Sequence, residues 1–286
     1  MNNSTSRRRF IRGGAGVAAT AVAVAASPAP TNSTDALTVI GGLRTIHGDF
    51  SDRQVPDRDV QRILDASVRA ANASGIQSYS IVVVKDSERM HQLTGYRASC
   101  LLLYCVDFTR LIDTAKYLGY SYSAGDMQEF ITASTSTVAA AQTAVIAAKS
   151  LGIDSLLTNG IHRGDMERHW KILELPDTSC FPLIALMLGY PKSEPAHPKG
   201  RLNGPGVVHR EKYQRMTKDQ LQTIVSQYDD KSRHLGLNED WDQKGHKHYL
   251  DWLYKEWLRV PSTPPAGETQ TLRRLRKSGF VEAAHA

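Results

Sequence analysis

Leu101 to Val106 reads Leu-Leu-Leu-Tyr-Cys-Val, an unbroken apolar run of strand length with no polar alternation. A strand of that kind has no face to offer water, so it belongs in the middle of a sheet covered on both sides. Pro182 to Leu188 (PLIALML) is a second such run, followed by Gly189-Tyr190-Pro191. The β-branched stretch Ser80 to Lys85 (SIVVVK) and the short Ser155 to Thr158 predict two more strands. Helical patterns are interleaved with them. Val60, Ile63, Leu64, Ser67, Val68 and Ala71 form an amphipathic stripe, with Pro56 placed to open it. Asp86-Ser87 begins a short helix ending near Gly95, and Thr109 to Leu118 is helical in pattern. Thr132 to Leu151 predicts a long Ala-rich helix stopped by Gly152, and Arg163 to Leu173 another closed by Pro176. This order excludes an all-β fold and favours a sheet flanked by helices.

Residues 210–260 differ in character. Tyr213, Tyr228, Trp241, Tyr249, Trp252, Tyr254 and Trp257 give two helical stretches a broad aromatic face, read as packing surface. Beyond a linker at Pro261 to Gly267, Leu272 to Lys277 (LRRLRK) predicts a short solvated basic helix. Cys100 and Cys105 lie an odd number of residues apart in one strand and therefore face opposite sides of it. With Cys180 they match no metal or redox spacing and are read as buried apolar thiols. The ten histidines include His246/His248 and His162/His169, but neither pair has the i, i+4 spacing of a helical metal site. They are read as surface residues, and no metal is expected.

The net charge of +6 is concentrated at one end. Arg7, Arg8, Arg9 and Arg12 stand in an N-terminal stretch without acids; removing these four from 35 cations leaves 31 against 29 acidic residues. So even a balance gives no basic face for nucleic acid. Ser6-Arg7-Arg8-Arg9-Phe10-Ile11-Arg12 resembles a twin-arginine export signal. The weakly apolar Gly13 to Ala26 is too short for a membrane span but has the length of a signal core. The resemblance implies export of a folded, cofactor-loaded protein to a periplasmic or extracytoplasmic location, with no stable span after signal removal.

Two polar segments suggest an anion grip. Arg44, Thr45 and His47 bring a guanidinium, a hydroxyl and an imidazole to one turn, and Lys199 and Arg201 follow the last apolar strand. Taken together, with the Gly-Tyr-Pro turn, they resemble the two ends of the FMN-dependent nitroreductases, which meet at the flavin phosphate. Two intermediate segments agree. Ala70 to Tyr79 (AANASGIQSY) resembles the family's loop after its first long helix, and Ala147 to Ser155 (AAKSLGIDS) its helix-to-strand junction. Leu43 replaces the family's first Arg, Ala71 its Pro, and Gly75 its Asn; Asn159 stands where several members carry an acid.

The resemblance implies an α+β fold with a central mixed or antiparallel sheet flanked by helices and a helical C-terminal extension. It divides the chain into a signal and linker (1–34), an FMN-binding domain (35–201), an aromatic extension (202–260) and a linker with basic tail (261–286). It implies FMN held by Arg44, Thr45, His47, Lys199 and Arg201, with Asn72, Ala73, Gly75, Thr158, Asn159 and Gly160 around the ring. It also implies a homodimer with flavin in the groove between subunits, and no catalytic side chain, since the flavin carries the chemistry. The expected reaction is two-electron transfer to a nitroaromatic, quinone or similar small acceptor. An exported enzyme meets little nicotinamide, so the donor is NAD(P)H or a membrane redox partner. The competing reading is an exported flavin-binding module without turnover.

Overall fold

In the computed structural model, residues 35–259 and 268–282 are described. Residues 1–34, where an export signal and linker are expected, and residues 260–267, which include the expected second linker, lie outside them. Four strands, β1 (Tyr79–Val84), β2 (Cys100–Asp107), β3 (Asp154–Thr158) and β4 (Cys180–Gly189), form one antiparallel sheet in the order β1-β2-β4-β3. The two strands with unbroken apolar runs, β2 and β4, take the two inner places. Along β2 every side chain from Cys100 to Val106 is buried, and each residue faces the layer its parity dictates. Cys100, Leu102 and Tyr104 join one core cluster, while Leu101, Leu103 and Cys105 join the other. All three cysteines are free and buried, as their sequence context predicts.

One layer over the sheet is made by α2 (Asp57–Ser67) and α5 (Met127–Ser150). Ala133, Ala140, Ala141, Ala144 and Ala148 of α5 are fully buried, because only a methyl-sized side chain lets a helix lie this close to strands. By length and composition α5 would pass for a membrane span, yet its small-residue face is spent on the sheet. Ser67 Oγ donates to the Ala140 carbonyl at 2.9 Å and lies 3.0 Å from the Tyr104 hydroxyl, tying α2 to α5 and β2. Burial pushes the Tyr104 phenol well above its ordinary range. The opposite layer is α3 (Ser87–Thr94) and α6 (Glu167–Leu173), with Met90 and Leu93 under the sheet.

Several boundaries differ from the sequence expectation. The long helix starts at Met127 rather than Thr132, because Asp126 caps it by accepting from the Glu129 N–H at 2.7 Å. Helix α6 begins at Glu167, not Arg163, since Gly164 is left-handed at φ 72°; it ends at Leu173 as expected, but the left-handed Glu174 at φ 52° caps it before Pro176 is reached. Pro182 sits in an inner strand, where a missing N–H would ordinarily cost a ladder bond. It is tolerated because β4 slips register there: Tyr104 pairs with Ile184 but Cys105 with Pro182.

Helix α4 (Thr109–Tyr117) follows β2, and α1 (Ala36–Gly41) precedes the sheet. In the extension, α7 (Lys218–Asp229) and α8 (Tyr249–Trp252, continuing as a π turn through Trp257) bury Trp241, Tyr249 and Trp252 against Tyr228. The aromatic face is packing surface for that cluster, but Tyr254 and Trp257 remain half exposed.

The basic helix α9 (Gln270–Lys277) corrects the expectation of a solvated tail. Arg274 is 2% exposed, its guanidinium 3.5 Å from the Trp170 ring centre, and Phe280 is fully buried beside Phe108 and Phe130. A planar, weakly hydrated guanidinium can stack on indole where an ammonium would demand water. Backbone bonds complete the dock: Ser179 N–H donates to the Ser278 carbonyl at 2.8 Å, and Ser278 Oγ to the Cys180 carbonyl at 3.1 Å. Phe280→Ala is expected to lower unfolding stability by about 3–5 kcal/mol, measured by urea denaturation, whereas a solvated tail would show no change.

Candidate functional site

The first polar segment pairs at the β3 edge of the sheet with the chain that leaves β4 and leads on to the second. Thr45 forms a parallel bridge with Ser155, and the Ile46 N–H donates to the Ser155 carbonyl at 3.0 Å, so residues 44–46 add a short parallel rung to β3. The next residues run beside the exit of β4. Phe50 pairs with Pro191, Ser51 N–H donates to the Tyr190 carbonyl at 2.8 Å, and Lys192 N–H to the Asp49 carbonyl at 2.8 Å. Gly189 makes this possible, because a Cβ there would meet the Phe50 ring at 2.8 Å. Residues separated by some 140 positions in sequence are thus paired backbone to backbone. Lys199 lies five residues beyond Glu194, within ~17 Å of it even on a fully extended chain.

Arg44 has a different employment from a phosphate fork. Its Nε and one terminal nitrogen donate to the two oxygens of Asp154 at 2.9 and 2.6 Å, and the other terminal nitrogen donates to Glu194 at 2.6 Å. Lys149 adds a contact to Asp154 at 3.2 Å. Burial alone would raise the Asp154 carboxyl, but the Arg44 fork and the Lys149 charge together hold it below its ordinary value. The same pairing pushes Arg44 upward against the opposing effect of burial. Its planar donors match a carboxylate already present, so Arg44 acts as a strut between α5, β3 and the loop after β4.

Thr45 and His47 are exposed, as are Lys199 and Arg201. Lys199 Nζ donates to the Gly236 carbonyl at 2.9 Å and lies 3.6 Å from Glu239. Arg201 donates to the Gly200 carbonyl at 2.8 Å. Both are fastened to the extension or to their own loop through part of their donor set. At the far end of β3, the Gly160 N–H donates to Thr158 Oγ1 at 2.9 Å, so that amide is turned back on its own chain. Asn159 is exposed.

The 72–75 turn is elsewhere. Asn72 Oδ1 accepts from the Gln77 N–H at 3.0 Å, Ala73 N–H donates to Ser136 at 3.2 Å, and Gly75 is left-handed at φ 68°. It leads into β1, at the same end of the sheet as Thr158 but on the opposite edge. Three strand spacings, about 14 Å, separate those edges. One chain therefore assembles Thr45, His47 and β3, and leaves Asn72, Ala73 and Gly75 apart from them.

Residues 42–190 match the family model described as the nitroreductase family. That is more than half of the chain, and it contains both the sheet and the 44–51 rung. The chain belongs to the nitroreductase family. An NADPH-dependent oxidoreductase of Staphylococcus epidermidis is 27% identical over 225 residues, covering 71% of this chain and 89% of that one. An FMN reductase [NAD(P)H] of Bacillus subtilis is 26% identical, covering 63% and 75%. The structure of B. megaterium NfrA2 superposes with a TM-score of 0.69 at 26% identity, over 86% of this chain and 98% of the other. Nitroreductase-like folding thus extends through most of the described chain, extension included.

Among the histidines, His169 corrects the surface reading: it is 1% exposed, its Nδ1 3.0 Å from the Met166 carbonyl, and burial lowers its pKa. His246 and His248 face different carboxylates, Glu256 at 3.7 Å and Asp229 at 2.7 Å, and share no point. The Asp154 carboxylate is a part of the site that the sequence did not single out; an acid immediately before the predicted Ser155 to Thr158 strand was the available signal.

Asp154→Asn should cost about 3 kcal/mol in unfolding stability, because it leaves a part-buried guanidinium facing a neutral amide. Since the folded carboxyl titrates below its unfolded value, the pair's contribution is full above pH ~4 and disappears as pH falls through the folded value. Urea midpoints of the native chain should therefore fall on acidification more steeply than those of the variant.

Proposed function

We propose that this nitroreductase-family chain binds the phosphate of FMN with Thr45, His47, Lys199 and Arg201, on a scaffold held by the Arg44–Asp154 pair. The chain is an FMN-dependent oxidoreductase. The observation that supports this grip is the backbone pairing of residues 44–51 with the exit of β4, beyond which the two exposed cations follow. The donor chemistry fits a phosphate: one hydroxyl, one imidazole, one ammonium and one guanidinium, all exposed and with donors to spare. Bound FMN supplies the two-electron transfer itself. Thr158, Asn159 and Gly160 then border the ring from the end of β3.

The 72–75 turn enters this reading through a second copy of the chain. Its position on the opposite sheet edge keeps it from the Thr45 grip of its own chain, so a homodimer with flavin in the groove accounts for both sets of residues. Leu37 and Ile40 of α1 and Ile131 and Val138 of α5 are exposed apolar side chains available for such a face. Purified protein should carry FMN near one equivalent per chain and sediment at twice the chain mass. Lys199→Ala with Arg201→Ala should weaken FMN retention by roughly 100-fold, about two charge-assisted contacts at 1.5 kcal/mol each. Unchanged flavin content in that variant would remove the grip, and a flavin-loaded monomer would remove the second-copy assignment.

The donor and the destination are separate proposals. NADPH is the donor named for the Staphylococcus epidermidis relative, and we extend it to this chain, with a quinone or nitroaromatic as acceptor. Arg7 and Arg8 are read as the twin-arginine pair of an export signal. Anaerobic mixing with NADPH should bleach the flavin absorbance within seconds. If only a quinol or a chemical reductant bleaches it, the donor is a membrane or extracytoplasmic partner, as the export signal would favour. Arg7→Lys with Arg8→Lys should retain the protein in the cytoplasm; unaltered export would remove the signal reading.

A further inference from the structure

Three side chains from two distant stretches converge beside the phosphate-grip loop. His197 lies in the loop after β4, and His234 and Glu239 lie in the extension. His197 Nε2 and His234 Nδ1 stand 3.1 and 2.9 Å from the same oxygen, Glu239 Oε1. The imidazoles are stacked, with ring centres 3.3 Å apart and planes inclined by 13°. The three ligating atoms all lie within 4.8 Å of one another.

The arrangement is held by backbone, not by the side chains alone. Gly200 N–H donates to the His234 carbonyl at 3.1 Å, and a Cβ at Gly200 would meet the Arg233 carbonyl at 2.1 Å, so only glycine permits this approach. His234 itself is left-handed at φ 48°, an unfavourable backbone for a residue with a side chain. The hydrogen bond from His234 holds the Glu239 carboxyl below its ordinary pKa against the opposing effect of burial.

We propose that His197, His234 and Glu239 form a divalent transition-metal site, zinc being the best fit, that clips the 197–201 loop to the extension. Two imidazoles and one carboxylate with a fourth position open to water are a familiar zinc donor set. Ligand atoms ~2.0–2.1 Å from a tetrahedral ion lie about 3.3 Å from each other, so the two nitrogen–oxygen separations need only a few tenths of an ångström of adjustment, while the two stacked rings must tilt apart for their in-plane lone pairs to meet on the ion. Lys199, 3.6 Å from Glu239, is the cation that competes with it for the carboxylate. The proposal stands independently of flavin binding.

The test is calorimetric titration of zinc chloride into chelator-treated, dialysed full-length protein, with elemental analysis of the product. One equivalent should bind and should raise the thermal unfolding midpoint. His197→Ala with His234→Ala should abolish this site. Glu239→Gln, isosteric and still able to present an oxygen to the rings, should weaken it by roughly tenfold or more, which separates ligation from folding. His209→Ala, at a half-buried histidine outside the cluster, should leave it unchanged. Equal zinc affinity in native protein and Glu239→Gln, or no binding at millimolar zinc, would overturn the proposal.

Discussion

Burial of β2 and β4 on both faces governs the arrangement of everything else. Leu101, Leu102 and Leu103 are successive and fully buried, so neither face of the sheet can be left to water. Each such side chain stabilises the fold by about 1.5–3 kcal/mol relative to exposure. That gain is realised only when one layer of helix covers each side. Helix α5 can cover one face because its contact row is alanine; α3 and α6 cover the other with Met90, Leu93 and Ile172. With two strands enclosed, the edges β1 and β3 are the places left where backbone can meet other segments.

The candidate site follows from that restriction. The β3 edge takes up residues 44–46 as a parallel rung, and the exit of β4 beside it takes up residues 49–51. Arg44 then closes the corner by pairing with Asp154 and Glu194. A buried carboxylate with two cations near it is costly to break, which gives the corner a defined geometry without dedicating it to a ligand. The exposed donors Thr45, His47, Lys199 and Arg201 inherit their positions from this frame. The extension adds a second constraint by binding the 197–201 loop through Gly200, Lys199 and the His197–Glu239 contact.

The C-terminal tail illustrates how charge misleads. Arg274 belongs to a run of four basic residues in six, and such a run normally marks a solvated face. Here the guanidinium lies flat on Trp170, and Phe280 fills the space between Phe108 and Phe130. Nothing local in Leu272 to Lys277 reveals this, because the energy resides in an aromatic partner about 100 residues earlier. Arg44 shows the same limit: its donor geometry was legible, but not Asp154, 110 positions away, as its partner.

Periodicity and apolar runs determined the strands, most of the helices and the inner placement of β2 and β4, since each expresses a local demand for burial. Motif order determined the family. Residue parity alone put Cys100 and Cys105 on opposite sides of the sheet. The strand order, the bulge that admits Pro182, the docking of α9 and the separation of the 72–75 turn from the Thr45 rung were decided only by tertiary structure. So was the meeting of His197, His234 and Glu239, whose spacing in sequence matches no ligand pattern. These depend on which distant surfaces come within a few ångströms of each other, and distance through space is not encoded in any short stretch of chain.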